Sequence, residues 1–232
     1  DVTVQVDDPA IAGTPDATVA HTLTVTDVNE APSVSLTNLV PSLTEDTDTT
    51  GTVRVADIVI TDDALGTNDL TLTGADAALF EIDGFELYLS AGATLDFETN
   101  PALDVTVQVD DSSLGGFPDD TAAMTINLTD VNDNAPVITA AQTFSVNEDA
   151  VLNDVVGTVA ATDADTVGTL QGWTITAGNA DGIFAINAST GEISIADPSN
   201  LNFEATPQYT LTVQVSDGVN TSAAETVVIN VN

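Results

Sequence analysis

Cysteine is missing from this sequence altogether. No disulfide can brace the fold, and no thiolate is available as a nucleophile or a metal ligand. That absence does not exclude secretion, because metal ions can act as staples in large extracellular arrays. Positive charge is almost missing too: Lys+Arg number 1 against Asp+Glu 37, for a formal net charge of -36. Nucleic acids and anionic membrane surfaces need basic patches, so direct contact with either is excluded. The single histidine, His21, cannot serve both a catalytic triad and a metal site. No apolar run reaches the roughly 18 residues of a membrane span, so direct membrane insertion is not expected. No signal-peptide pattern and no Gly-rich phosphate loop after a strand are present. The only methionine is Met124, which leads us to expect a piece of a longer protein. Paired carboxylates could suggest glycoside hydrolysis. In a chain this acidic such pairs arise by chance, and no enzyme is expected.

What is there is a chain able to fold. At 43% hydrophobic residues it can bury a core, unlike an acidic disordered tail. Its charge will attract cations. A saline habitat would explain dispersed acidity but not clustered acidity. Val2, Val4 and Val6 alternate with Thr3 and Gln5, and Leu211, Val213, Val215 and Val227, Ile229, Val231 alternate likewise. Period two with β-branched residues marks half-buried strands. Long amphipathic helical patterns are absent. Short strands between Gly, Asp, Asn and Pro clusters predict an all-β chain of Greek-key sandwiches, about seven strands in about 100 residues each.

The sequence also repeats itself. The octapeptide Asp1 to Asp8 recurs letter for letter at Asp104 to Asp111. Asp27-Val28-Asn29 recurs at Asp130-Val131-Asn132 with the same offset, and Glu45 pairs with Glu148 in the same way. Leu95-Asp96-Phe97-Glu98 returns as Leu201-Asn202-Phe203-Glu204. A period of this length is a whole domain rather than a solenoid unit of about 20–50 residues. Expected modules are 30–133 and 134–232, with 1–29 matching the last two strands of a module plus a linker.

The densest chemistry lies in Asp130-Val131-Asn132-Asp133-Asn134-Ala135-Pro136. Oxygen-bearing side chains crowd together there and stop at a proline. Neither a helix nor a central strand favours that composition, whereas a hard cation needs many oxygen ligands. With this linker the chain resembles tandem cadherin-type repeats, over essentially its full length. The resemblance implies a Ca²⁺ joint of about three ions at the 134 junction. It carries over onto Glu45, Asp96 and Glu98 of the first module. The linker would add Asp130, Asn132, Asp133 and Asn134 with the Val131 carbonyl, and the second module Asp163, Asp165 and Asp217. Residues i and i+2 of an extended segment face one way. Asp96 with Glu98, and Asp163 with Asp165, can then each aim at one point. Asn132 and Asn134 should face one side of the linker and Asp133 the other. An EF-hand fails, because the twelfth position counted from Asp163 is Thr174 rather than Glu.

Elsewhere the motif is poorer. Asp27-Val28-Asn29-Glu30-Ala31-Pro32 is shorter by one residue and lacks the second Asn. One ion held by Asn29, Asp62 and Asp111 fits that junction, with Asp63 or Asp110 as substitutes. At the far end, Glu148 and Glu204 would wait for a further repeat. Trp173, Phe184 and Ile186 are expected in the core, Phe117 in a loop, and His21 and Arg54 on the surface without partners. Together these readings predict a calcium-binding repeat segment of an extracellular or cell-surface adhesin. It would act as a metal-stiffened rod whose partners are calcium and neighbouring repeats. Absence of Lys, lack of cysteine and close repeat identity point to a bacterial source. Binding to copies of itself, binding to a glycan, or service as an accessory domain of a secreted hydrolase are the alternatives.

Overall fold

The computed structural model of the chain describes residues 1–13 and 15–232. β1 (Val2–Val6) and β2 (Ala17–His21) pair as an antiparallel hairpin. There follow β3 (Ser33–Thr37), β4 (Ser42–Thr44), β5 (Val53–Thr61), β6 (Asp69–Thr73), β7 (Phe80–Asp83), β8 (Glu86–Leu89), β9 (Ala102–Asp110) and β10 (Asp120–Thr129). They form two four-stranded sheets, ordered β3-β5-β8-β7 and β4-β10-β9-β6. The last part holds β11 (Val137–Ile138), β12 (Gln142–Val146), β13 (Val155–Thr158), β14 (Ala161–Thr162) and β15 (Gln171–Ala177). β16 (Phe184–Ile186), β17 (Glu192–Ile195), β18 (Gln208–Ser216) and β19 (Glu225–Val231) complete it. Its sheets run β12-β19-β18-β15 and β13-β17-β16, with a small β11-β14 pairing.

Each sandwich thus has about seven strands once its broken strands are rejoined. The first strand of each splits between the two sheets. β3 pairs antiparallel with β5 while β4 pairs parallel with β10. The break holds Asn38 at φ 51 and Pro41, which has no N–H to give a ladder. In the second sandwich Ala141 at φ 58 marks the same break, before β12 pairs parallel with β19.

Two separate cores follow from the alternation. Val55, Leu87, Leu89, Leu103, Val105, Val107 and Ile126 are sealed in the first. Trp173, Ile193, Ile195, Leu211, Val213 and Ile229 are sealed in the second. Each such side chain contributes about 1.5–3 kcal/mol by leaving water. Trp173 and Phe184 are core residues as the sequence suggests, and Phe117 is exposed in its loop. The hairpin is different. Val2, Val4 and Val6 are 60%, 63% and 64% exposed, although Val105, Val107 and Val109 of the identical octapeptide are 1% exposed or less. Among the described residues, no second sheet covers the hairpin.

Arg54 departs from expectation. It is not partnerless: its guanidinium pairs with Asp57 and, at 2.7 Å, with Glu86. Asp57 lies three residues along β5 from Arg54, and Glu86 on β8 stands opposite Asp57 in the register, so the pairing of the two strands brings the second acid beside it.

Candidate metal centre

Seven of the expected carboxylates converge where the two sandwiches meet. They form three overlapping triads: Glu45–Glu98–Asp133, Glu98–Asp130–Asp165 and Asp163–Asp165–Asp217. Within each triad the ligand atoms lie within 4.8 Å of one another. Glu98 and Asp165 each belong to two triads, so the set forms one continuous path from the first sandwich to the second.

Local structure explains how each group is held. Glu45 follows β4 and is buried. Its Oε1 accepts the Val131 N–H at 2.6 Å and its Oε2 accepts the Phe97 N–H at 2.6 Å. One carboxylate therefore ties the linker to the turn that carries Glu98. The Val131 N–H makes this contact, whereas the sequence reading singled out the Val131 carbonyl. Asp96 also departs from the extended geometry expected for it. Residues 97–99 form a turn, and the Asp96 carboxylate accepts from the Thr99 N–H at 2.8 Å and the Thr99 hydroxyl at 2.9 Å. Asp favours this local capping of a turn. Asp96 still lines the cleft shared by Glu45, Glu98, Asp133 and Asn134, but it stands outside the triads. On the other side, Asp130 Oδ2 accepts from the N–H and hydroxyl of Thr166.

The linker alternates only in part, because Asn134 Nδ2 also donates to Asp133 Oδ1 at 2.9 Å. Asn134 turns to the second sandwich, where its N–H and Nδ2 reach the Asp165 carboxylate at 3.0 and 2.8 Å. Asp133 turns to Glu45 and Glu98. Asn132 turns to the second sandwich, where the end of its carboxamide faces two carboxylates. The atom facing them lies 3.2 Å from Asp165 Oδ2 and 3.1 Å from Asp217 Oδ2. A half-turn of the amide would put NH₂ there and satisfy both acids.

Further observations fit a hard cation. Glu98 Oε1, Asp130 Oδ1 and Asp163 Oδ2 are cut off from solvent without a hydrogen-bond partner, a condition rare among buried polar atoms. Burial, then the charges of Glu45, Asp130 and Asp165, pushes the Glu98 carboxyl above its ordinary pKa. Burial, followed by the charges of Glu45, Asp165, Asp96 and Asp130, raises Asp133 likewise. Asp217 sits below its usual range; burial opposes its charge, but the Val219 and Asn220 N–H groups outweigh it. Carboxylate and amide oxygens without imidazole or thiolate suit Ca²⁺ far better than Zn²⁺.

At the shorter junction Asn29 Nδ2 donates to Asp111 Oδ2 at 2.7 Å and to Ser113 Oγ at 2.7 Å. Asp111 is held down to about 2 by the Ser113 N–H and the Asn29 amide. Asp62 Oδ1 and Asn29 Oδ1 lack partners. Asp63 occupies the place that Asp165 has at the other junction. Its Oδ2 accepts the Glu30 N–H at 2.9 Å, as Asp165 Oδ2 accepts that of Asn134. Asp62 makes a separate contact, its Oδ2 accepting from Asn68 Nδ2 at 2.9 Å. Asn29, Asp62 and Asp111 form no carboxylate triad like those at the other junction. At the far end Glu148 repeats the geometry of Glu45, accepting the Phe203 N–H at 3.0 Å.

Sequence reading missed Thr166, Gly168 and Asn220. Gly168 has φ +86, and a Cβ there would lie 2.5 Å from Asn132 Nδ2. Gly168→Ala is expected to lower thermal stability by about 1–3 kcal/mol through backbone strain and displacement of Asn132. Parallel thermal melts of wild type and variant check this. Gly66 plays the same part at the shorter junction, where a Cβ would meet Asp111 Oδ2 at 1.8 Å.

Comparison with known proteins agrees with this architecture. The cadherin domain family model matches residues 142–232. Protocadherin Fat 2 of Rattus norvegicus is 34% identical over 146 residues, covering 62% of this chain and 3% of that protein. Protocadherin Fat 1 of Homo sapiens is 33% identical over 165 residues, covering 69% and 4%. The chain thus spans a small fraction of the curated relatives it matches. Among solved structures, Protocadherin Gamma B2 extracellular cadherin domains 3-6 superpose with a TM-score of 0.71 at 22% identity, covering 99% of this chain and 56% of that one. The Protocadherin gammaB7 EC3-6 cis-dimer structure gives 0.67 at 23% identity, covering 88% and 51%. These two share the fold.

Proposed function

Given that this is a chain of cadherin-type repeats, with a cadherin domain at residues 142–232, we propose that it is a calcium-stiffened segment of an extracellular adhesion protein. Residues 30–133 and 134–232 are successive repeats, and 1–29 carry a closing hairpin and linker. The observation supporting this is the continuous path of carboxylate triads across the 134 junction.

Glu45, Glu98, Asp130, Asp133, Asp163, Asp165 and Asp217 would hold about three ions there, with Asn132, Asn134 and the Val131 carbonyl as neutral oxygen donors. Asp96 lines the rim of the first site. Asn29, Asp62, Asp63 and Asp111 would hold a further ion at the shorter junction. Bound Ca²⁺ supplies positive charge that neutralises the cluster and ties its members to common centres. The chain's own residues supply direction. Glu45 fixes the linker to the first sandwich, Asp165 fixes it to the second, and Thr166 holds Asp130 between them. The output is mechanical, since a joint gripped from both sides transmits orientation from one sandwich to the next. A net charge of -36 opposes close packing of bare copies, which favours a spacer over self-binding.

Calorimetric titration of the metal-free chain with CaCl₂ tests the reading. We expect uptake of about four ions, with dissociation constants of about 10⁻⁴–10⁻³ M, the range of extracellular calcium modules. An absence of saturable uptake up to 10-fold above that range would reject it. Calcium-dependent association in sedimentation would instead favour homophilic binding, and retention on insoluble polysaccharide would favour glycan binding.

A further inference from the structure

The loop after β18 holds a side chain that the metal reading does not use. Asp217 Oδ1 accepts the N–H groups of Val219 at 2.6 Å and Asn220 at 2.7 Å. Ser216 Oγ donates to the Asn220 carbonyl at 2.6 Å. Both sides of the Asn220 backbone are therefore fixed by the loop that presents Asp217. From that anchored base its carboxamide reaches the linker. Nδ2 donates to the Asn134 carbonyl at 3.1 Å and lies 3.5 Å from the Asn132 carbonyl and 3.4 Å from the Asn132 side-chain carboxamide.

The other junction solves the same problem differently. Its loop after β9 carries Ser113 rather than an asparagine, and the linker amide of Asn29 is committed to Asp111 and Ser113. At the 134 junction the loop supplies the amide, whose shortest contact is to linker backbone, the Asn134 carbonyl. The Asn132 carboxamide, flanked by the Asn220 amide, faces Asp165 and Asp217.

We propose that Asn220 is the positioning residue of the 134 junction, clasping the linker so that the Asn132 carboxamide faces the Asp165–Asp217 pair. It touches linker carbonyls that are neutral, so the clasp forms whether or not a cation is present. Its contribution is preorganisation: ordering of the linker precedes ion binding and does not oppose it. This rests on the calcium reading above and adds a residue outside the acidic set.

Asn220→Ala and Asn220→Asp in the full chain test it by calcium titration. Loss of one backbone-directed hydrogen bond predicts weaker calcium binding by roughly threefold to tenfold. The Asp variant is the sharper probe. It matches Asn in shape and adds a negative charge beside Asp217, yet cannot donate to a carbonyl. Weaker binding by the Asp variant supports the clasp, whereas unchanged or tighter binding overturns it. Melting of the metal-free variants at the wild-type temperature separates positioning from folding. Should either variant fail to fold, wild-type NMR in a chelator decides: the Asn220 side-chain NH₂ should exchange slowly and show contacts to Asn134. Rapid exchange without such contacts overturns the clasp. A wild-type chain that takes up no calcium sinks the parent reading instead.

Discussion

Removal of calcium is expected to convert the chain from a long, narrow particle into a shorter average one. At the 134 junction seven carboxylates sit in three triads whose ligand atoms are within 4.8 Å. One pair of like charges 4 Å apart repels by about 1 kcal/mol in water and about 4 kcal/mol near a protein surface. Several such pairs rival the marginal stability of a small domain. The strain is not spread over the fold, because each sandwich has its own sealed core. It falls on the linker, held by Val131, Asn134 and Asn220. Metal-free chains should relieve it by swinging the sandwiches apart while both stay folded. Small-angle scattering in millimolar calcium and then in excess chelator checks this. The maximum dimension should fall and the distance distribution broaden. Identical profiles would remove the stiffening mechanism even if ions still bound.

Neutralising Glu98 is expected to act in opposite directions with and without calcium. Glu98 belongs to two triads, whereas Asp163 belongs to one. Glu98→Gln keeps the shape and removes a charge shared by two candidate ions. It should weaken calcium binding by about tenfold or more, and more than Asp163→Asn does, since ligand charge count sets affinity at such sites. Without metal the same change removes a carboxylate already pushed above its ordinary pKa by burial and by Glu45, Asp130 and Asp165. The metal-free variant should therefore melt at a higher temperature than the metal-free wild type. Calorimetric titration and thermal melts in chelator read the two halves separately. A parallel loss in both conditions would mean that Glu98 is structural rather than a ligand.

Much of this was legible in the residues. Alternation in Leu211, Val213 and Val215 announced a strand with one buried face, and all three are sealed. Glu45, Glu98, Asp130, Asp133, Asp163, Asp165 and Asp217 stand out because acidic residues recur at matching places in successive repeats. Other features were not legible. Asp96 caps its own turn through Thr99, a local preference that competes with pointing outward. Asp63 accepts the Glu30 N–H across 33 residues of chain, a tertiary contact. Asn220 reaches Asn134 across 86 residues, and nothing in a Gly-Val-Asn-Thr loop marks that contact.

The octapeptide at Asp1–Asp8 and Asp104–Asp111 separates the two kinds of knowledge. Its pattern by itself fixed an extended strand with valines on one face, because successive side chains of a strand alternate. Only the tertiary structure decided what those valines meet. In the second copy they face Val55, Leu87 and Leu89 from the opposing sheet and are sealed; in the first they remain open. The acidic residues follow the same division. Composition fixed that the chain would draw cations, whereas the meeting of two sandwiches at one linker decided which carboxylates share a centre. Alternation is a property of the backbone, while convergence depends on what the rest of the chain brings alongside.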